Sequence, residues 1–339
     1  MTAEVERGRI PLRPMTSAAR VSVVMPVRAA AAVLEASVRA VLDQDPPVDE
    51  VVLAVAPSSD GTEGIASALA EADPRVRVVD NPSGRTPDGL RAAIAATDGE
   101  IVVRVDAHAV LPAGYVATAV VTLCRTGAAN VGGRQHPVAT SGFARCVAAA
   151  MRSPAGSGGA THRTGRVAGP ADTVYLGVFR REALDAVGGF DPRLTRNQDA
   201  ELNERLRRHG YLVWYEPSLV VEYRPRGTVT GLAAQYLGYG RWRRLTARMH
   251  PGSLRARQIA PPAGVLGLFG AAGVSVVRRR WSPFAVATGG YAAVLLAAAS
   301  RAADRPSDIP GVVVALATMH VSWGIGFVVG PPRQDTRHC

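Results

Sequence analysis

The residues in this chain best suited to chemistry are Asp106 and His108, two metal-capable side chains separated by Ala107. They follow Ile101, Val102, Val103 and Val105, a short β-branched run of the kind buried on both faces of a sheet. In an open α/β sheet, ligands sit at the carboxyl ends of the strands. A carboxylate and an imidazole there suit a divalent cation holding a diphosphate. The same residues also make an ordinary strand end, with a turn-forming Asp and a surface His.

Charge points the same way. The net charge of +11 comes wholly from arginine, since the chain contains no lysine. Such an excess favours anionic partners: phosphates, nucleic acid or an acidic membrane face. Aromatic residues make up only 5% and no aromatic-basic repeat occurs, which ranks nucleotide and membrane ahead of nucleic acid. From Tyr239 to Arg257, Trp242, Leu245, Met249 and Leu254 are interleaved with Arg241, Arg243, Arg244, Arg248, Arg255 and Arg257. That pattern suits a helix lying in a membrane interface, or a solvated helix face. Cys124, Cys146 and Cys339 are odd in number and lack metal-ligand spacing, so they read as reduced thiols in a cytosolic compartment. Glu4, Glu6, Arg7 and Arg9 leave the N-terminus without the apolar core of a secretory signal, and residues 1–19 read as a mobile tail.

The elements that must position the Asp106 strand follow in order. Val21–Val27 is a first strand and Glu50–Val55 a second, with a helical pattern between them over 30–43. Pro57 to Thr62 is a turn whose Ser and Asp can cap a helix starting near Thr62. Val76–Val79 is a third strand, and a helix over Pro87–Ala96 leads back to the Asp106 strand. This β-α-β-α-β-α-β order is that of a doubly wound nucleotide-binding half. A helix over 113–125 is followed by a glycine-rich, poorly patterned stretch, Gly127–Gly169, which reads as functional or a lid. Order returns with Thr173–Arg180, a helix over Arg181–Val187, a helix over Asp199–His209 and a strand over Tyr211–Tyr215.

Beyond residue 258 three charge-free runs, Ile259–Val277, Trp281–Ser300 and Ile309–Gly330, have 19, 20 and 22 residues. At about 1.5 Å rise per residue each can cross an apolar layer of roughly 30 Å. Gly264, Gly267, Gly270 and Gly273 recur every third residue, which permits close helix packing. Arg278, Arg279 and Arg280 directly after the first run prefer the cytoplasm. With a cytoplasmic catalytic domain, this predicts that the first run, entered through Pro261 and Pro262, is re-entrant or interfacial, and that the other two form a hairpin with Arg333 and Arg337 inside. The organisation expected is therefore a catalytic domain over 20–228, a basic interfacial segment over 229–258, a membrane region over 259–330 and a tail over 331–339.

In this order and spacing, VSVVMPV, SSDGT, VVRVDAHA, DTVYLGVFRREALDAVGGFD, RNQDAELNERLRRHGY, QYLGYGRWR and RARQIAPP resemble the family 2 glycosyltransferases of the GT-A fold. The resemblance runs from about Val21 to Pro262 and is closest to the bacterial exopolysaccharide group that includes the succinoglycan glucosyltransferase. It implies a nucleotide-diphospho-sugar transferase fold, a doubly wound mixed sheet, followed here by C-terminal membrane helices. Asp106 and His108 take the positions of the family's D-x-D motif and would hold Mg²⁺ or Mn²⁺ against the donor diphosphate. Asp199 falls at the final acid of the acceptor-side E-D motif and would be the general base. Glu201, on another helix face, ranks second. Pro26, Asp60, Arg85, Asp106, Arg241 and Trp242 would line the donor side, with Arg91, Arg163 and Arg180 as further phosphate contacts; Trp242 would alternatively stack on acceptor sugar, anchor in lipid or pack in the core.

The chain departs from the family pattern at four places. Gln198 replaces the Glu before the base. Gly238 stands where the processive enzymes carry the Gln of Q-x-x-R-W, with Gln235 at the wrong spacing, which argues for adding one sugar. The uracil-binding Asp at the end of the second strand is replaced within Val55-Ala56-Pro57, and Gly89-Leu90-Arg91 replaces an A-L-N pattern. The function implied is an inverting, metal-dependent transfer of one hexose from a nucleotide sugar, such as UDP-glucose, to a polyprenyl-diphosphate-linked saccharide. It would take place at the inner (plasma) membrane with the catalytic domain in the cytoplasm. A polyprenyl-phosphate glycosyl synthase and a non-catalytic GT-A-like binding protein are the alternatives.

Overall fold

The computed structural model describes residues 12–16 and 18–331. Most of the tail expected over 1–19, and residues 332–339 with Arg333, Arg337 and Cys339, lie outside the described residues. Two compact units emerge, one formed by Met1–Gln135 with Gly165–Glu222, the other by His136–Thr164 with Tyr223–Cys339.

The first unit opens with β1 (Val21–Val27), α1 (Leu34–Leu42), β2 (Glu50–Val55), α2 (Thr62–Ala72), β3 (Val76–Asp80), α3 (Thr86–Ala95), β4 (Ile101–Arg104), α4 (Tyr115–Thr126) and β5 (Asn130–Pro137). The chain then forms α5 (Gly142–Arg152), α6 (Pro154–Ser157) and α7 (Thr161–Thr164) before β6 (Gly169–Pro170), β7 (Tyr175–Arg180), α8 (Arg181–Ala186), α9 (Gln198–Arg208) and β8 (Val213–Tyr223). One eight-stranded sheet results, in the order β3-β2-β1-β4-β7-β5-β8-β6. Strands β3, β2, β1 and β4 are parallel, and β7 runs antiparallel to β4. Chain order reverses between β1 and β4, the switch point where the loops diverge and a ligand crevice forms.

The strand alternation divides the core into two faces. Ile101 and Val103 of β4 pack with Val23, Met25, Val51 and Leu53 on one face. Val102 packs with Val24, Val52, Phe179, Phe190, Leu202 and Leu206 on the other, against α9. Every residue of β4 is buried, as a β-branched run covered on both sides requires.

The stretch expected to be functional or a lid is built of β5, α5, α6 and α7. Gly132 and Gly133 of β5 are imposed by close approach: a Cβ at Gly133 would lie 1.7 Å from the Leu219 carbonyl oxygen. Helix α5 is a core helix of the second unit, with Cys146, Val147, Ala149, Ala150 and Met151 in its apolar cluster. Its small side chains carry a weak apolar signal yet pack closely, and Arg145 bonds both oxygens of Asp308 at 2.8 and 2.6 Å.

The second unit continues with α10 (Val229–Met249), α11 (Ala256–Val277), α12 (Ser282–Ala302) and α13 (Ile309–Val329). Three helices, spanning Ala256–Val277, Ser282–Ala302 and Pro306–Val329, are long and apolar enough to cross a membrane. Leu266, Phe269, Val277, Val286 and Val294 stand exposed along them, as lipid contact requires. Helix α11 is unbroken through Pro261 and Pro262, so the chain does not reverse within it and the re-entrant form of the expectation falls. The packing that the glycine spacing permits is not made among the described residues. Nothing lies within 4 Å of a Cβ placed at Gly264, Gly267, Gly270 or Gly273. The close contacts belong to Gly240, whose Cβ would lie 2.0 Å from the Trp323 carbonyl oxygen, and to Gly326, 2.2 Å from that of Leu237. Periodicity along one helix cannot say which face finds a partner.

Candidate active site

Asp106 lies two residues beyond β4, and Asp199 lies in the first turn of α9. Both carboxylates meet on one side chain, that of Arg104. Its guanidinium donates to Asp106 Oδ1 at 2.8 Å through Nη2 and to Asp199 Oδ1 through Nη1. Arg104 is only 5% exposed, its Nε is buried without a partner, and it stacks over the Phe190 ring at 5.9 Å. The strand's period of two explains this placement. Arg104 shares the face of Val102, the face on which α9 and Phe190 pack.

Burial alone would raise the Asp106 carboxyl. The Arg104 charge, then His108, then the Arg104 hydrogen bond outweigh it and hold the carboxyl below its ordinary value. His108 sits exposed on the turn after β4. Tyr175, at the start of β7, completes this wall. Burial first, and then the Asp106 charge, push its phenol well above the ordinary value, and its hydroxyl pairs with Gln135. Leu176 follows with φ of +47°, strained for a bulky side chain, and its carbonyl accepts from the Tyr115 hydroxyl at 3.1 Å.

The opposite wall is α9. Asn197 precedes it with φ of +61°, a left-handed conformation that Asn tolerates, and this turn sets Asp199 at the helix start. Gln198 is buried and Asp199 retains 32% side-chain exposure. Glu201 is fully buried in an ion pair with Arg205 at 2.7 Å, while Arg205 also donates to the Gly189 carbonyl at 2.7 Å. That pairing gives Glu201 a structural task and leaves Asp199 as the accessible acid of the helix.

The other residues singled out from sequence scatter. Pro26 lies within β1, paired with Ala54. Asp60 accepts from the Ala31 amide at 3.1 Å and from Thr62 Oγ1 at 2.6 Å, tying the β2–α2 loop to the chain after β1. Arg85 donates to the Pro192 carbonyl and Arg91 to that of Phe190 at 3.3 Å. Arg180, 3% exposed, is spent on the carbonyls of Ala128, Leu123 and Arg13 at 3.1, 3.2 and 2.7 Å. Arg163, Arg241 and Trp242 belong to the second unit. There Arg243 bonds Gln258 at 3.1 Å, and Arg244 caps the end of α13 through the Phe327 carbonyl at 3.3 Å. Arg104 and Tyr175 were not singled out from sequence. The one charge inside an otherwise β-branched run was the available signal for Arg104.

No cluster of three or more His, Cys, Asp or Glu occurs among the described residues. The donor set still fits a divalent ion borne by a nucleotide. Arg104 takes only Oδ1 of Asp106, and one carboxylate with one imidazole leaves most coordination positions to diphosphate and water.

The comparisons with known proteins decide the family. The model of Glycosyl transferase family 2 matches residues 22–188. The succinoglycan biosynthesis protein ExoA of Rhizobium meliloti (strain 1021) is 36% identical over 281 residues, covering 82% of this chain and 84% of that protein. The chain belongs to glycosyltransferase family 2. Its fold is similar to that of the mannosyltransferase PcManGT from Pyrobaculum calidifontis, solved in complex with GDP-Man and Mn²⁺ (TM-score 0.62, 21% identity, 96% of this chain and 92% of that one). It is also similar to S. aureus TarS residues 1–349 (TM-score 0.50, 13% identity, 91% and 90%). The family 2 chain therefore has the GT-A fold, with three membrane-length helices at its C-terminal end.

Proposed function

We propose that this family 2 glycosyltransferase moves one hexose from a nucleotide sugar, UDP-glucose or a relative, to a lipid-linked saccharide in exopolysaccharide or cell-envelope glycan synthesis. It does so with inversion, at the cytoplasmic face of the plasma membrane. The observation that carries this reading is the Arg104 guanidinium held between Asp106 and Asp199. One side chain thereby ties to a single guanidinium the two carboxylates that this reading assigns to the donor and the acceptor.

In this reading Asp106 and His108 would hold Mg²⁺ or Mn²⁺ beside the donor diphosphate. When bound, the ion supplies positive charge that offsets charge on the departing nucleoside diphosphate. Asp199 accepts the proton of the acceptor hydroxyl as that oxygen bonds to C1 of the sugar. The C1–O bond to the diphosphate breaks, and its electron pair leaves with the nucleotide. Attack from the face opposite the leaving group inverts the anomeric centre. Arg104 keeps Asp199 from swinging out of line and adds a fixed cation beside the reacting charges. The ExoA relative and the membrane-length helices support an acceptor confined to the bilayer.

The test is transfer from UDP-glucose to lipid extract by the full-length protein. Asp199→Asn should lower turnover about 10²- to 10⁴-fold with donor binding intact, and Asp106→Ala should lose Mn²⁺-dependent donor binding. Unchanged turnover in Asp199→Asn would remove the general base and, with it, this mechanism.

A further inference from the structure

Two acids of the first unit share one cation that cannot move far. Arg104 Nη2 donates to Asp106 Oδ1 at 2.8 Å and Arg104 Nη1 to Asp199 Oδ1, so the acids meet on neighbouring nitrogens of one guanidinium. The arginine is held from behind. It is 5% exposed and lies over the Phe190 ring, 5.9 Å from its centre, and Phe190 in turn packs edge-on against Phe179 at 6.1 Å. Among the described residues, Arg104 is the partner in every ion pair that Asp106 and Asp199 make. Both acids remain part-exposed, so burial alone does not bar an ion from them.

Two carboxylates close together are an attractive place for a divalent ion, which would bridge them. Here the guanidinium already fills that role with its own charge. An ion arriving alone meets a fixed positive group bonded to the acid it must bind, in a setting where repulsion is weakly screened. No group of three His, Cys, Asp or Glu makes up the ligand set among the described residues. An ion carried by a diphosphate differs on both counts, since it brings oxygen ligands and offsetting charge with it. It needs only the Asp106 oxygen that Arg104 leaves open. We propose that Arg104 is a specificity-determining residue, which excludes free divalent ions from the space between Asp106 and Asp199 and admits an ion only when a diphosphate bears it. Asp199 thereby stays clear of metal. That the carrier is the sugar donor rests on the transfer reading above; the exclusion rests on Arg104 and its two acids alone.

The test follows Mn²⁺ binding to the full chain in detergent micelles, by calorimetry and by the thermal midpoint, with and without UDP. Mn²⁺ alone at about 1 mM should leave the parent's midpoint where it is, and Mn²⁺ with UDP should raise it. In Arg104→Gln the acids are left facing each other, so Mn²⁺ alone should bind at least about tenfold more tightly than in the parent and raise the midpoint. Arg104→Lys keeps the charge and loses the planar fork, and should still refuse free Mn²⁺. Arg104→Gln/Asp199→Asn should return to the parent's behaviour, because the second acid is gone. Arg39→Gln, which removes an exposed charge paired with Glu35 on α1, should also behave as the parent. Free Mn²⁺ that stabilises the parent as much as Arg104→Gln would overturn the proposal, and so would equal binding by Arg104→Lys and Arg104→Gln. If Arg104→Gln does not purify folded, the parent and Arg104→Lys decide: a midpoint raised by Mn²⁺ alone in either overturns the exclusion, and midpoints unmoved until UDP is added uphold it. Should Asp106→Ala bind UDP with Mn²⁺ as the parent does, the donor reading fails, while a free-Mn²⁺ site that appears only in Arg104→Gln still upholds the role of Arg104.

Discussion

Arg104 sits where three demands meet: a buried cation, a donor-side carboxylate and an acceptor-side one. Removing a charge from such a cluster leaves its partners facing one another, so Arg104→Gln should cost about 2–3 kcal/mol in chemical denaturation at pH 7. The figure is toward the low end for buried pairs because Asp106 and Asp199 keep 19% and 32% side-chain exposure. In the double variant Arg104→Gln/Asp106→Asn the cost should shrink, since less charge is left uncompensated. Additive losses would show that Arg104 does not act on Asp106. Acid sensitivity has a definite sign. The Asp106 carboxyl is held below 3.8 in the folded chain, so its contribution is complete above that value and fades as pH falls through the lower folded one. Asp106→Asn should therefore flatten the stability profile on the acid side of pH 4 and not between pH 6 and 8.

At the scale of elements, glycines divide into those a neighbour requires and those it does not. Gly240 and Gly326 bring α10 and α13 together at distances no Cβ allows, while Gly264 faces open space. Gly240→Ala should lower the thermal midpoint of the detergent-solubilised protein by the equivalent of about 1–3 kcal/mol, the usual cost of overpacking. Gly264→Ala should leave it unchanged or slightly raised, because alanine favours a helix. A larger drop for Gly264→Ala than for Gly240→Ala would contradict the packing described. The same contrast explains which elements could be read in advance. Strands β1, β2 and β4 carry β-branched runs that speak for themselves. Strand β5 and helix α5 owe their conformation to close backbone approach and alanine packing, which leave little periodic trace.

At the scale of the molecule the open question is the side of the membrane on which Arg278, Arg279 and Arg280 lie. The bias of arginine toward the cytoplasm predicts that they lie inside, with α11 in the membrane interface and not across it. A single cysteine at Arg279, in a chain cleared of its own three, should resist a membrane-impermeant maleimide added outside intact cells and react after permeabilisation. Labelling from outside would make α11 a full crossing. The first four strands, the family, the three membrane-length runs and the Asp106-His108 pair were all legible in the linear chain, because each is written in local pattern or motif spacing. What only tertiary structure decided is which distant groups share a space. Asp199 reaches Asp106 through an arginine 95 positions away because a strand's period of two points Arg104 at the helix packed on that face. In the second unit, the glycine-rich stretch comes against the start of a membrane-length helix, where a Cβ at Gly158 would lie 3.0 Å from the Arg257 Cβ. Periodicity fixes which way a side chain points along its own element; only packing determines what it meets.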